Sequence, residues 1–501
     1  MLEALKRARD KAHKRLILGE PKGLGLKALL KYKAQLSKLE REAPFAAIAV
    51  NIAVESGLDP VKSFEALENL DSLPACSFEA KRIRRDCIIF ARHPLEQLRL
   101  EAKDALGLWK KLLSTIVTIE ATGLDPKLIF KDLRNLILAD LRADYERLAE
   151  KFKTLVSTAS VLFGAMPMMI AVTLSLFASS SIIPLMLSLA LANAVIAGLW
   201  IMSVDFQVPD TADCSGFYKS ALVKWLPIGL AVGLATYFAW IVTPFTLTLR
   251  STASLCLGTI AFSLPFYFDW KRQTKVFNEL LDDLPLVLRD IAEQVDREFS
   301  PHQAVENIYA SGGYGRYTNR LISLLVKEAR VMGSLRDAYN KVKTLLPKPW
   351  RISLELISLI EEMGAGSGAV HALSDAMGQY ILALREFKRS IRGYRWLSLF
   401  MTLLTLFLLI FLSNTVMPKY AMLGLMLEEN PGVLSMPLQP PKPEELPAIK
   451  DVIYLMIAAN SIALSFVIGK TSGWTLGEGI REALKTSIVV LAVILGAFYF
   501  L

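Results

Sequence analysis

The sequence predicts an all-α, polytopic membrane protein in which one helical module occurs twice. Three observations carry this. Of the 501 residues, 53% are hydrophobic and mean hydropathy is +0.39, against roughly 45–50% apolar usage, Gly included, in an ordinary soluble domain. The excess is concentrated in runs long enough for the roughly 20 residues of a spanning helix. Finally, Trp109, Glu120 and Gly123 recur as Trp350, Glu361 and Gly364, and Pro60 as Pro301, each 241 positions later and without a gap.

The repeat extends to pattern. GLWKKLLSTIVTIEATG at 107–123 reads against PKPWRISLELISLIEEMG at 347–364, each with apolar residues at helical spacing and a terminal Gly suited to a helix C-terminus. A period of this length excludes solenoid units, which repeat every 20–50 residues or so. The expected organisation is a basic N-terminal arm over 1–40, a first helical module over 41–152, four spans within 153–271, a second module over 272–394, and three spans within 395–501.

The apolar runs fall at about 155–178, 182–203, 225–247, 251–268, 396–417, 451–469 and 486–501, which makes about seven spans. MLEALKRARDKAHKRLILGE is basic and lacks the apolar core of a signal peptide. Lys81, Arg82, Arg84 and Arg85 in the first module, and Lys388, Arg389, Arg392 and Arg395 closing the second, place both modules in the cytoplasm by the positive-inside rule. An even number of spans must then separate them. The reading is a multi-pass cell-membrane protein with a cytoplasmic N-terminus, an external 418–449 loop and an internal 470–485 loop carrying Lys470, Arg481 and Lys485.

Each module feeds its last helix into a span, so a soluble rotation can reach the bilayer through a stiff helix that bends only at Pro, Gly or a bulge. Gly393 is the candidate hinge; the alternative is a plain juxtamembrane linker. Ionisable residues are scarce within the spans, where Asn193 and Asn460 are the central polar side chains, and this weighs against an ion or proton pathway. Gly229 and Gly233 form a small-xxx-small pair suited to close packing.

Chemistry-bearing motifs are absent. His13, His93, His302 and His371 belong to no ligand pattern, no Walker loop occurs, and Cys76, Cys87, Cys214 and Cys256 form no C-x-x-C pair. His371 follows the Gly364-Ala-Gly366-Ser-Gly368 run but corresponds to Phe130 in the repeat, so it reads as a packed or partly exposed core histidine, with Asp125 or Ser367 capping the helix after each break. Glu120, Glu361 and Glu362 mark helix ends rather than catalysis. No enzyme activity, metal or cofactor is expected, and any work must be powered by a partner. The basic clusters allow lipid-headgroup anchoring, docking of an acidic protein surface, and, last, nucleic-acid binding, which their lack of interleaved aromatics disfavours.

Two helical modules of the form LLVKEARVMGSLRDAYNKV (324–342) followed by LELISLIEEMGAGSGAVHALSDAM (354–377) resemble the type II secretion system protein F family. The resemblance covers about three-quarters of the chain. It is weaker in the first module, where ARHPLEQLRLEA at 91–102 replaces the turn at Gly333. The span pattern is similar to that of archaeal members from archaellum and pilus assembly. The resemblance implies a non-enzymatic membrane platform, itself a homo-oligomer (dimer). Its partners would be a hexameric secretion ATPase, docked by Arg82, Arg84, Arg85, Lys388, Arg389 and Arg392, together with pilin-like subunits and membrane lipids, and no nucleic acid. Trp109, Glu120, Gly123, Trp350, Glu361, Glu362 and Gly364 form the helix-turn motif of the modules. The competing reading is a transporter or channel with duplicated regulatory modules.

Overall fold

Apolar residues at helical spacing over most of the chain, broken by Gly and Pro, give helices throughout. A computed structural model describes residues 26–170, 188, 192–193, 195–200, 215–242, 250–419, 421–422, 444, 446–473 and 475–500. It is about 90% helical, with no strand among the described residues. The 205–218 connection, most of the 418–449 loop, part of the 182–203 run, His13 and Cys214 lie outside the described residues or largely so.

The helices are α1 (Leu26–Glu55), α2 (Pro60–Glu65), α3 (Pro74–Ile89), α4 (Pro94–Asp104), α5 (Gly107–Thr122), α6 (Pro126–Ser160), α7 (Ser215–Val242), α8 (Arg250–Val295), α9 (Pro301–Ser311), α10 (Arg316–Met332), α11 (Leu335–Val342), α12 (Lys348–Glu362), α13 (Ser367–Arg392), α14 (Arg395–Phe411), α15 (Leu446–Gly473) and α16 (Leu476–Phe500). Contacts divide the chain into two compact units, one of Met1–Asp144 with Val276–Ala383, the other of Tyr145–Lys275 with Leu384–Leu501. The divisions fall inside α6, α8 and α13 rather than in linkers.

In the first unit the residues flagged by the repeat occupy matching local structures. Pro60 and Pro301 each open a helix, where a missing N–H costs nothing. Trp109 and Trp350 are 4% and 1% exposed. Gly123 and Gly364 follow α5 and α12 at φ 68° and 64°, the left-handed region that ends helices cheaply only for Gly. Carboxylates of α1 and α8 each secure the start of a later helix. Glu42 accepts from Ala75 and Cys76 at the start of α3 (2.8 and 3.1 Å), and Asp283 from Gly315 at the start of α10 (2.9 Å). These satisfy N–H groups that a helix leaves without intrahelical partners. Asp125 accepts from Lys127 at the head of α6, as its position after the break predicts.

The turn that lacks glycine in the first module is still left-handed. Ala91, just beyond α3, has φ 47°, where Gly333, just beyond α10, has φ 71°. A Cβ in this region costs about 1–2 kcal/mol. Ala91→Gly is therefore expected to stabilise the protein by about 1 kcal/mol, less the extra unfolded-state freedom of Gly; Gly333→Ala should move stability the other way. Denaturant unfolding of the full-length protein in detergent measures both.

In the second unit, Gly229 and Gly233 of α7 meet Gly258 of α8, and a Cβ on Gly229 would stand 2.5 Å from Phe262 Cβ. Asn193 donates to Asn460 at 3.0 Å, so the two central polar side chains pair with each other. α15 and α16 form a hairpin whose backbones touch: a Cβ on Gly469 would lie 2.7 Å from the Glu478 carbonyl oxygen.

Among the described residues, five helical stretches are long and apolar enough to cross a membrane: Pro126–Ile170, Ala221–Ala239, Arg250–Val295, Ser367–Lys419 and Leu446–Gly473. They mark a membrane protein. The 486–501 run lies on α16, outside those five, and only part of the 182–203 run is described.

Candidate docking interface

Glu355 fastens the two modules together. α12 is apolar on every side, burying Leu354, Leu356 and Ile357 as well as Trp350, so a carboxylate in its middle cannot reach bulk water. It is 6% exposed and accepts from the backbone N–H groups of Asp71 (2.6 Å) and Ser72 (2.9 Å) in the turn before α3. Around this contact Lys343 donates to Asp71 at 2.8 Å, the Phe45 and Tyr380 rings meet edge-on at 4.9 Å, and Arg134 donates to the Ala372 carbonyl at 3.3 Å. The Lys343 ammonium holds the Asp71 carboxyl below the usual carboxylate range.

α1 explains why the modules need each other. Ala43–Val54 is buried around almost the whole helix, whereas the corresponding stretch of α8 leaves Leu286 55% exposed and pairs Arg289 with Glu293 at 3.0 Å on the surface. The sequence PFAAIAVNIAV is already apolar on all faces. That pattern marks a helix covered on both sides.

The helix-turn motif is packing and capping. Trp350 donates its indole N–H to the Leu280 carbonyl at 2.5 Å, and Trp109 packs on Phe64 with centroids 5.8 Å apart. Glu362 takes two hydrogen bonds from Arg336 (2.8 and 2.6 Å). Burial, then the carboxyl of Asp59 beside it, raises Glu120 above the usual carboxylate range; Glu361 is half-buried. His371 is 44% exposed and pairs with Asp296 at 2.7 Å, while Phe130 is fully buried. Among the described residues no group of three His, Cys, Asp or Glu is arranged to hold a metal ion.

The basic clusters are not uniform. Arg82 is engaged by Glu79 (2.8 Å) and by the largely buried Glu101 (2.7 Å), and Arg84 by the largely buried Glu68 (2.9 Å). Arg85 is the most exposed of the three, at 66%, and makes only a long ion pair, 3.9 Å, with the largely buried Asp86. Reversing Arg82 or Arg84 would strand a buried carboxylate, so a docking test there is confounded by folding. In the second unit Lys388 is half-buried, while Arg389 and Arg392 are exposed. α13 ends at Arg392, and the Gly393–Tyr394 turn separates it from α14.

Beyond that turn lies an ionic cluster that the sequence does not announce. Arg395 reaches Glu478 (3.1 Å) and the Ser472 hydroxyl (3.1 Å); Arg481 bridges Glu478 and Glu482 at 2.7 Å each; Lys485 meets Glu482 at 3.1 Å. Lys470 and Glu482 are each 1% exposed. The 470–485 stretch reads as a charged loop, but only two residues, 474 and 475, separate α15 from α16. Its glycines, Gly469, Gly473 and Gly479, signal the close hairpin that buries these charges.

The chain matches no protein-family model, and no curated protein or solved structure shows significant similarity to it.

Proposed function

We propose that the protein is the membrane platform of a type IV pilus-like assembly machine of archaeal type, built on a duplicated helical module, with about seven spans and both modules in the cytoplasm. Its role is to couple a cytoplasmic hexameric secretion ATPase to extraction and insertion of pilin-like subunits. One observation carries the reading: two long helices, α6 and α8, join the paired modules to apolar segments without a linker, and a third, α13, reaches the next apolar segment across the Gly393–Tyr394 turn. A partner's rotation of the modules is thereby delivered to the membrane helices, because an α-helix transmits displacement along its axis until a break.

Two measurements test this. In a cysteine-free background, cysteines at Ser215 and Ser435 should be labelled by an impermeant reagent from outside, and one at Asn340 only after permeabilisation. External labelling at 340 sinks the topology. Deleting the gene should abolish surface filaments while pilin-like subunits persist in the membrane; filaments that assemble without it refute the platform role.

The transporter reading draws on a separate observation, the buried Lys470 and Glu482 of the second unit, since ionisable groups in apolar helices commonly mark transport pathways. It would gain from solute flux in proteoliposomes that Lys470→Met abolishes.

A further inference from the structure

α3 and α10 are corresponding helices of the two modules, each held at its start by a carboxylate of the preceding long helix and ended by a left-handed residue. Their inner faces bury Cys76, Ala80 and Ile83 in one case and Leu321, Leu325 and Val326 in the other. Their outer faces share an unusual chemistry. The exposed residues of α3 are Pro74, Phe78, Lys81, Arg84, Arg85, Ile88 and Ile89; those of α10 are Arg316, Arg320, Leu324, Lys327, Arg330, Val331 and Met332. Neither set contains a carboxylate. A merely solvated helix face mixes both signs of charge, and large apolar groups ringed by charged ones match an interface with an apolar centre and a polar rim.

The two faces also match when counted back from the left-handed residue that ends each helix, a register one residue longer than the 241 offset; α10 has 17 residues and α3 has 16. Arg85 and Ile89 stand six and two residues ahead of Ala91; Lys327 and Val331 stand six and two ahead of Gly333. Ile89 is 53% exposed and Val331 77%, with Ile88 at 73% and Met332 at 42% beside them. In both modules a cation and an apolar side chain thus project one turn apart from the last turns of the same helix. Packing within the protein requires neither.

We infer that the outer faces of α3 and α10 are two copies of one docking surface, and that the occupant is an acidic protein presenting the matching site more than once, as a homo-oligomer does. Arg85 and Lys327 complement carboxylates on the partner, whereas Arg84 and Arg330 are held within the protein by Glu68 and Glu306 (2.9 and 2.7 Å); Ile89 and Val331 are the anchors that enter an apolar depression between those partner carboxylates. The inference rests on the platform reading for the partner's identity, and it replaces Arg82 and Arg84, which serve internal ion pairs, with Arg85, Lys327 and the two anchors.

The test uses the full-length protein in nanodiscs of neutral lipid and the purified secretion ATPase of the same cell. Ile89→Ser and Val331→Ser should each weaken binding about fivefold or more, as hot-spot truncations do, and the double variant should lose more than either because a two-point attachment becomes none. Arg85→Glu and Lys327→Glu should do the same and flatten the salt dependence. All four sites are exposed, so circular dichroism melts should not shift, and the charge pair keeps the test open if an anchor variant folds poorly. Unchanged affinity in folded variants overturns the surface and leaves the platform reading standing. Loss at one face only overturns the two-copy claim. Variants that keep ATPase binding but lose affinity for phosphatidylglycerol vesicles would assign the faces to the membrane instead. Wild-type protein that does not bind the ATPase overturns the inference and the platform reading together.

Discussion

Trp350→Ala is expected to cost about 3–5 kcal/mol, the range for emptying a buried aromatic site. The indole is 1% exposed, and its N–H donates to the Leu280 carbonyl, so truncation removes packing and a hydrogen bond between α12 and α8 at once. Trp109→Ala should cost a similar amount through packing alone. The phenylalanine variants separate the two contributions. Trp350→Phe keeps much of the ring volume but loses the donor, about 1 kcal/mol beyond the volume change. Trp109→Phe, whose ring packs on Phe64, should lose less. Denaturant unfolding in detergent, followed by far-ultraviolet circular dichroism, gives the order; equal costs for the two phenylalanine variants would discard the assigned role of the Trp350 hydrogen bond.

Glu355→Ala is expected to loosen the first module from the second. Two backbone N–H groups, on Asp71 and Ser72, lose a carboxylate at 2.6 and 2.9 Å. Each deprived group costs about 1–3 kcal/mol when water cannot replace the acceptor. The 71–72 turn is only part-buried, so the expected total is about 2–3 kcal/mol. Glu355→Gln keeps an acceptor for one N–H and should fall between alanine and wild type. Hydrogen exchange at 70–73 is the direct readout: protection that survives Glu355→Ala would mean that the turn is held by something else.

What the sequence made legible was what recurs. Pro60 and Pro301, the two tryptophans and the two glycines are constrained by a local rule each, helix entry, burial or a left-handed end, and a rule that acts locally leaves the same letter at the same spacing. The long apolar runs were legible for the same reason, through length alone. Glu355 was not, since its partners lie in another module and a lone acidic letter carries no address; the all-apolar neighbours on α12 were the available signal. Ala91 was hidden because a non-Gly residue seldom takes positive φ. The Arg395–Glu478 cluster was hidden by distance in sequence. Of the six cations assigned to docking, Arg82 and Arg84 face largely buried acids within the protein, which a charge run does not disclose.

The joining of the modules also sets a schedule for synthesis. The Asp71 turn and Glu355 are 284 residues apart, so at about 5–20 residues per second the turn waits on the order of 15–60 s for its partner to be translated. Through that interval the Phe45 side of α1 stays uncovered at the ribosome while apolar segments enter the bilayer between the two modules. An apolar helix left open this long invites association with other nascent chains, so holdase protection of the first module, or a slowing of translation within it, would change the yield of folded protein without altering a single native contact.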